Sequence, residues 1–387
     1  MTWQAAMQSA LYGPHGFFTA GEGPSAHFRT SAHTGPLFAT AVLSLLRRVD
    51  DALGRPPRLD LVDVGAGRGE LLTHIATQLD LTSDDELLDR LHIVAVELAP
   101  RPDASHPSIS WTDVVPDRVV GLVLANEWLD NVPLDVVEVT TSGARTIEVD
   151  PTTGDEAPAG PVDDEDLRWL QHWWPPESAH VGDRLECGAT RDRAWADVVA
   201  HVDRGVAVAI DYGHLRAQRQ SRAFAGGTLT AYRAGRMVAA VPDGSCDITA
   251  HVAMDSCGQA GRSAGATATL LMTQREALEA LGVSGGRPPL SRASSAPAEY
   301  LAALANAGVA AELRDPAGLG AFLWLVQGRR IEISDVLPAA GGAGSAASRL
   351  DRRMSDTATS AAATVRATSS PSAIAPNATA PATPKPA

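Results

Sequence analysis

Leu59-Asp-Leu-Val-Asp-Val-Gly-Ala-Gly-Arg-Gly-Glu-Leu-Leu72 carries the strongest fold signal in the chain. A nearly continuous apolar run ends on Gly65, Gly67 and Gly69, and an amphipathic stretch then begins at Glu70 with Leu71, Leu72 and Ile75 on one side. That is the strand, tight turn and helix of a parallel α/β unit. Glycine belongs at such a turn because a ligand that approaches the backbone closely leaves no room for Cβ atoms. Outward from this unit the alternation repeats. Leu91–Glu97 reads as a second strand, Ile109–Trp111 as a short third, Val119–Ala125 as a fourth and Val206–Asp211 as a fifth, with two more at Thr267–Met272 and Ala321–Gln327. Each stops at a polar or glycine-containing segment, as ligand-facing strand ends do. Gln274–Leu281 and Pro297–Ala307 read as helices, the second with Pro at its first position and Gly308 just past its end. Phe38, Val42, Leu45, Leu46 and Val49 predict a packing helix upstream. The expected class is α/β: a Rossmann-like sheet with helices on both faces.

The remaining segments divide the chain. An N-terminal cap is expected over 1–57 and a helical insertion over about 140–200, between strands four and five. The insertion holds four of the eight Trp residues, Trp169, Trp173, Trp174 and Trp195, behind the acidic start Asp163-Asp-Glu-Asp166. Carboxylates favour a helix N-terminus, so this reads as an amphipathic helix burying its indoles, with a lid over the ligand crevice as the alternative. One domain thus spans 1–338. Residues 339–387 read as a disordered tail, since from Ser355 to Ala387 nearly every residue is Ala, Ser, Thr or Pro, with too few apolar side chains to offset ordering entropy.

Composition narrows the function classes. The 387 residues carry a formal net charge of -14, and Lys385 is the only lysine. A nucleic-acid binder needs a basic face, so nucleic acid is not an expected partner. Three cysteines, Cys187, Cys246 and Cys257, are too few and too unevenly spaced for a disulfide framework, which points to a reducing cytoplasm. The start of the chain lacks a basic and apolar leader, and no long apolar run exists, so no membrane is expected. Cys246 and Cys257 flank His251, but this is not a zinc spacing, and no metal is expected.

The glycine turn selects among nucleotides. A dinucleotide fingerprint wants its last glycine where this chain has Glu70, whose carboxylate would oppose pyrophosphate at the helix N-terminus. A nicotinamide oxidoreductase is therefore disfavoured, and Gly-Lys-Ser/Thr is absent, so a P-loop is excluded. S-adenosyl-L-methionine has no phosphate and carries a sulfonium cation, which suits an acidic site. Asp63 fits its ammonium, Glu97 its ribose hydroxyls and Asp113 its adenine amino group, each at the end of a successive strand.

Ala125-Asn-Glu-Trp-Leu-Asp-Asn-Val-Pro133 follows strand four and would face the donated methyl. The sulfonium methyl is already activated, so the protein must chiefly align the attacking atom. Glu127 and Asp130 can orient a cationic guanidinium or amine and accept its proton, with Asn126 fixing donor or loop, although Asn126 and Asp130 also suit a turn. Asp211-Tyr-Gly-His214 ends strand five at the same sheet edge, so Tyr212 or His214 can line the acceptor pocket, with a satisfied loop histidine as the alternative. His251 is a candidate polar contact or a buried, hydrogen-bonded histidine.

Leu11-Tyr-Gly-Pro-His-Gly-Phe-Phe18, Phe28-Arg-Thr-Ser31, the glycine turn, Ala125–Asp130, Asp211-Tyr-Gly213, Gly227–Tyr232, Asp247-Ile-Thr-Ala-His-Val252 and Thr273-Gln274 occur in this order. Together they resemble the MidA family of S-adenosylmethionine-dependent methyltransferases, whose mitochondrial members are protein-arginine methyltransferases of respiratory complex I assembly. The resemblance spans roughly Met1 to Gln327. It implies a class I methyltransferase core with one antiparallel strand, an N-terminal segment closing over the donor, Thr30 and Ser31 in the cofactor site, and a partner protein with an exposed arginine as substrate. The chain departs from the pattern at Ala26-His27, Ala32-His33 and Val252-Ala-Met254. The alternatives are a small-molecule methyltransferase and a non-catalytic assembly factor; intact Gly65, Gly67, Gly69 and Glu97 argue against the second.

Overall fold

The structure is a computed structural model describing residues 1–20, 31, 35–82 and 85–338. Thr30, and the tail expected over 339–387, lie outside the described residues. The central sheet has seven strands: β1 (Leu59–Val64), β2 (Leu91–Val96), β3 (Ile109–Thr112), β4 (Val119–Asn126), β5 (Val202–Asp211), β6 (Ala268–Thr273) and β7 (Leu323–Arg329). The helices used below are α1 (Trp3–Tyr12), α2 (Pro36–Ala52), α3 (Glu70–Thr82), α4 (Asp164–Trp173), α5 (Ala189–His201), α6 (Met254–Ser263), α7 (Gln274–Ala280) and α8 (Pro297–Leu313).

The strand order is β3-β2-β1-β4-β5-β7-β6. All neighbours are parallel except β7, which runs antiparallel to both β5 and β6. Because β1 lies between β2 and β4, the chain reverses its direction of travel across the sheet there, and the ends of β1 and β4 open a crevice. Side-chain alternation divides the core between two faces. Leu59, Leu61, Ile93 and Leu122 pack under α2, α3, α7 and α8. Val62, Val64, Val123 and Ala207 pack under α5 and α6, where Trp195 is buried. Its indole N–H donates to Gln327 Oε1 on β7 at 2.7 Å, which satisfies the one polar atom that burial would otherwise orphan.

Two sequence expectations change. The insertion is not simply helical: Val136–Thr140, Gly143–Val149, Glu156–Pro161 and Arg184–Glu186 form a separate four-stranded antiparallel sheet, with α4 and α5 completing the segment. Helix α4 does start at the acidic run, with Asp163 capping the Glu165 N–H, and Trp169 and Trp174 are buried beside it. The second change is at Gly308, which does not end its helix. Ala310 and Leu313 bury on the sheet and carry α8 a further turn, packing that outweighs the local cost of glycine.

The N-terminal segment packs on the inserted sheet. Trp3, Met7 and Leu11 of α1 bury against Val136, Ile147 and Ile248, which sets Tyr12 and Phe18 near the crevice. No described helix is long and apolar enough to cross a membrane.

Candidate active site

A cavity of about 500 Å³ opens at the C-terminal ends of β1, β2 and β4. Asp63, Gly65, Gly67, Glu97, Asp113, Asn126, Glu127 and Asp130 all line it, from four separate stretches of sequence. Gly69 does not; its N–H bonds Ala66 O at 2.8 Å and it faces Trp111. Ser31 is buried just behind the wall, where its backbone N–H donates to Glu127 Oε1 at 2.8 Å. Tyr212 and His251 are not on the cavity wall either.

The turn after β1 is a left-handed backbone. Gly65 has φ 71° and Gly67 has φ 59°, conformations that side chains oppose. At Gly65 a Cβ would also lie 2.6 Å from the Trp128 indole, so here the protein itself, not only a ligand, demands glycine. Gly67 donates its N–H to Glu97 Oε2 at 2.9 Å, while Glu97 Oε1 accepts from Leu98 and Ala99 at 2.7 and 3.1 Å. Of about four acceptor sites on a carboxylate, three are thus engaged, and Oε2 keeps one open.

Asp63 is 4% exposed, lines the cavity and accepts no hydrogen bond among the described residues. Burial, reinforced by Glu70 and Glu97, raises its pKa to about 8. Such a carboxyl wants a cation. Asn126 adds a buried Oδ1 without a partner, a second acceptor that nothing in the protein satisfies. No Arg or Lys is among the described lining residues, and Glu70 stands at the first position of α3. Leu98, Val114 and Val115 give the Asp113 side an apolar surface. This set fits S-adenosyl-L-methionine, with its ammonium, ribose and flat base, and repels a phosphate.

The turn after β4 holds the remaining acids. Glu127 adopts φ 51°, rare for a residue with a side chain, and its N–H prolongs the sheet by bonding Ile210 O at 2.8 Å. Its Oε1 also accepts from Asn126 Nδ2 at 3.2 Å, and burial raises its pKa to about 8 despite the bond from Ser31. Asp130 is 4% exposed, and burial raises its pKa against the opposing influence of Tyr212, Thr249 and Arg191. Tyr212 and Thr249 both donate hydroxyls to Asp130 Oδ2, the second at 2.7 Å. His251 packs edge-on against the Tyr212 ring at 5.3 Å, and burial lowers its pKa to about 4.

Sequence reasoning missed Arg191 and Thr249. The Arg191 guanidinium, 1% exposed, donates to the carbonyls of Asp130, Val132, Ala250 and His251. It ties the turn after β4 to the Asp247–Val252 segment. An arginine on an otherwise ordinary helix gives no sign of that, whereas Thr249 lies inside the Asp247–Val252 motif. His201 and Asp197 of α5 also line the cavity, so the insertion borders the site.

The seven-stranded order with β7 reversed, joined to an acidic cavity at the ends of β1, β2 and β4, defines a class I methyltransferase. The family model described as "Putative S-adenosyl-L-methionine-dependent methyltransferase" matches residues 39–272, and the chain belongs to that family. Its cofactor is S-adenosyl-L-methionine. Among solved structures, a COG1565 superfamily member from Burkholderia thailandensis bound to S-adenosyl-homocysteine is 24% identical with a TM-score of 0.71, covering 86% of this chain and 88% of the other. A native structure of a COG1565 superfamily protein from the same organism matches with 24% identity and a TM-score of 0.71, covering 88% and 90%. A comparison with curated proteins gave no match.

Proposed function

We propose that this S-adenosyl-L-methionine-dependent methyltransferase acts on a nitrogen of an arginine guanidinium on a partner protein. The observation that carries the reading is the pair of carboxyls, half-buried Glu127 and buried Asp130, on one turn that lines the donor cavity. The bound donor supplies an electrophilic methyl whose S–C electron pair returns to sulfur. The protein must then align a nitrogen lone pair and take one proton from that nitrogen. Asp63 and Asn126 are assigned to the donor's ammonium, Glu97 to its ribose and Asp113 to its base. Glu127, ionised when the cationic guanidinium docks beside it, is assigned the proton released as the N–C bond forms. The buried thiols, none in a disulfide, suit a cytoplasmic enzyme.

The test is transfer of a labelled methyl group into arginine-containing peptides and into cell lysate, with hydrolysis to identify the methylated residue. Methylarginine formation that drops at least about a hundredfold in Glu127→Gln, with S-adenosyl-homocysteine binding preserved, is the expected result. Label found only on lysine, on another residue or on a small molecule would refute the arginine assignment.

A further inference from the structure

Asp130 is fixed from every side but one. Its backbone N–H donates to Asp211 Oδ2 at 3.2 Å, and its carbonyl accepts from Arg191 and from the Ala250 N–H at 3.2 Å. Its Oδ2 takes the Tyr212 and Thr249 hydroxyls. The Tyr212 ring is itself held between His251 at 5.3 Å and Phe322 at 5.4 Å, so its hydroxyl has little freedom. Thr249 sits on the short strand Asp247–Thr249, paired with Thr230. Against all this, Oδ1 is buried and has no hydrogen-bond partner. A carboxylate oxygen left so in a folded interior costs stability, and a site that keeps one is prepared for a donor from outside.

We propose that Asp130, a residue of the cavity wall whose buried Oδ1 lacks a partner, docks one N–H of the acceptor guanidinium through that oxygen, and that Thr249 and Tyr212 are positioning residues that keep Oδ1 available by occupying Oδ2. This rests on the arginine reading above. The planar guanidinium offers several fixed N–H groups, so one can anchor on Asp130 while another faces the donor methyl. Thr249 and Tyr212 touch neither substrate nor donor. They act through the orientation of Asp130.

The experiment is calorimetric titration of the full chain, saturated with S-adenosyl-homocysteine, with ethylguanidine as the probe and propylamine in parallel. Wild type is expected to bind ethylguanidine saturably. Thr249→Val and Tyr212→Phe should each weaken it about fivefold, Thr249→Ser should restore it to within twofold, and Asp130→Asn should weaken it at least tenfold. S-adenosyl-homocysteine affinity should stay within twofold throughout, which shows that each variant is folded. Equal ethylguanidine binding by wild type and Asp130→Asn or Thr249→Val overturns the proposal, as does a wild type that binds neither probe. Propylamine binding alone, with the same dependence on Asp130 and Thr249, overturns the arginine reading and supports the clamp on Asp130.

Discussion

Gly65 and Gly67 share a motif but not a reason. Both require a left-handed backbone, which costs an alanine roughly 1–2 kcal/mol. Only at Gly65 does an added Cβ also meet an indole, whereas at Gly67 its nearest neighbour is Glu70 Oε2 at 3.6 Å. Gly65→Ala is therefore expected to be the more destabilising variant in chemical denaturation, and Gly67→Ala to act mainly on donor affinity; the reverse order would separate the motif from this packing. Asp63 gives a sharper test. With its pKa at about 8 in the unliganded protein, Asp63 is mostly protonated at neutral pH, and a cation beside it favours the ionised form. Donor binding should release a proton, so affinity for S-adenosyl-homocysteine should rise about tenfold per unit between pH 6 and pH 7.5. Titration in buffers of different ionisation enthalpy measures that release, and Asp63→Asn should abolish it. These acids and glycines were legible because each stands at a strand end that the apolar runs locate. Thr249 was less so, since its role depends on a carboxylate 119 residues away.

At the scale of elements, the sheet was readable wherever strands are buried on both faces. Leu59–Val64 is buried throughout, and a short apolar run interrupted only by Asp60 and Asp63 and closed by glycines reads most simply as such a strand. The inserted sheet lacks that signal. Glu156–Pro161 is exposed along its whole length and contains two prolines, so only its pairing with Gly143–Val149 makes it a strand. Helix α5 ties the turn after β4 to the Asp247–Val252 segment through one side chain, because Arg191 reaches four carbonyls across the two. A lysine has three donors on one nitrogen and cannot span the same set. Arg191→Lys is expected to lower unfolding free energy by about 2 kcal/mol and Arg191→Met by about 3 kcal/mol or more, read from denaturant midpoints. Loss of S-adenosyl-homocysteine binding should be smaller than loss of stability, since Asp63 and Glu97 lie on other elements. A variant as stable as wild type would show that Arg191 is replaceable.

Across the whole molecule, the site sets a pH dependence opposite to that of a protein held by salt bridges. Asp63 and Glu127 have pKa values near 8 in the folded state, far above the usual range for carboxyls in an unfolded chain. Between those limits the native protein holds protons that the unfolded chain has released. Stability therefore falls as pH rises. Buried His214 and half-buried His251, held below their ordinary value by desolvation, have the opposite sign, but their contribution changes only below about pH 6.5, where the unfolded imidazoles begin to charge. The window from pH 6.5 to 8 thus isolates the acids. Thermal melts of the unliganded protein should show Tm decreasing steadily across it, because Asp211 and Asp247, also raised by burial, act with Asp63 and Glu127; two or more protons should be released on unfolding, roughly 1.4 kcal/mol per pH unit for each. Saturating S-adenosyl-homocysteine, by favouring ionised Asp63, should flatten the slope, and so should Asp63→Asn. A Tm that rises through this window would mean that the cavity acids are ionised in the empty protein, and the donor site would then be an anionic pocket already formed rather than one that charges as its cation arrives.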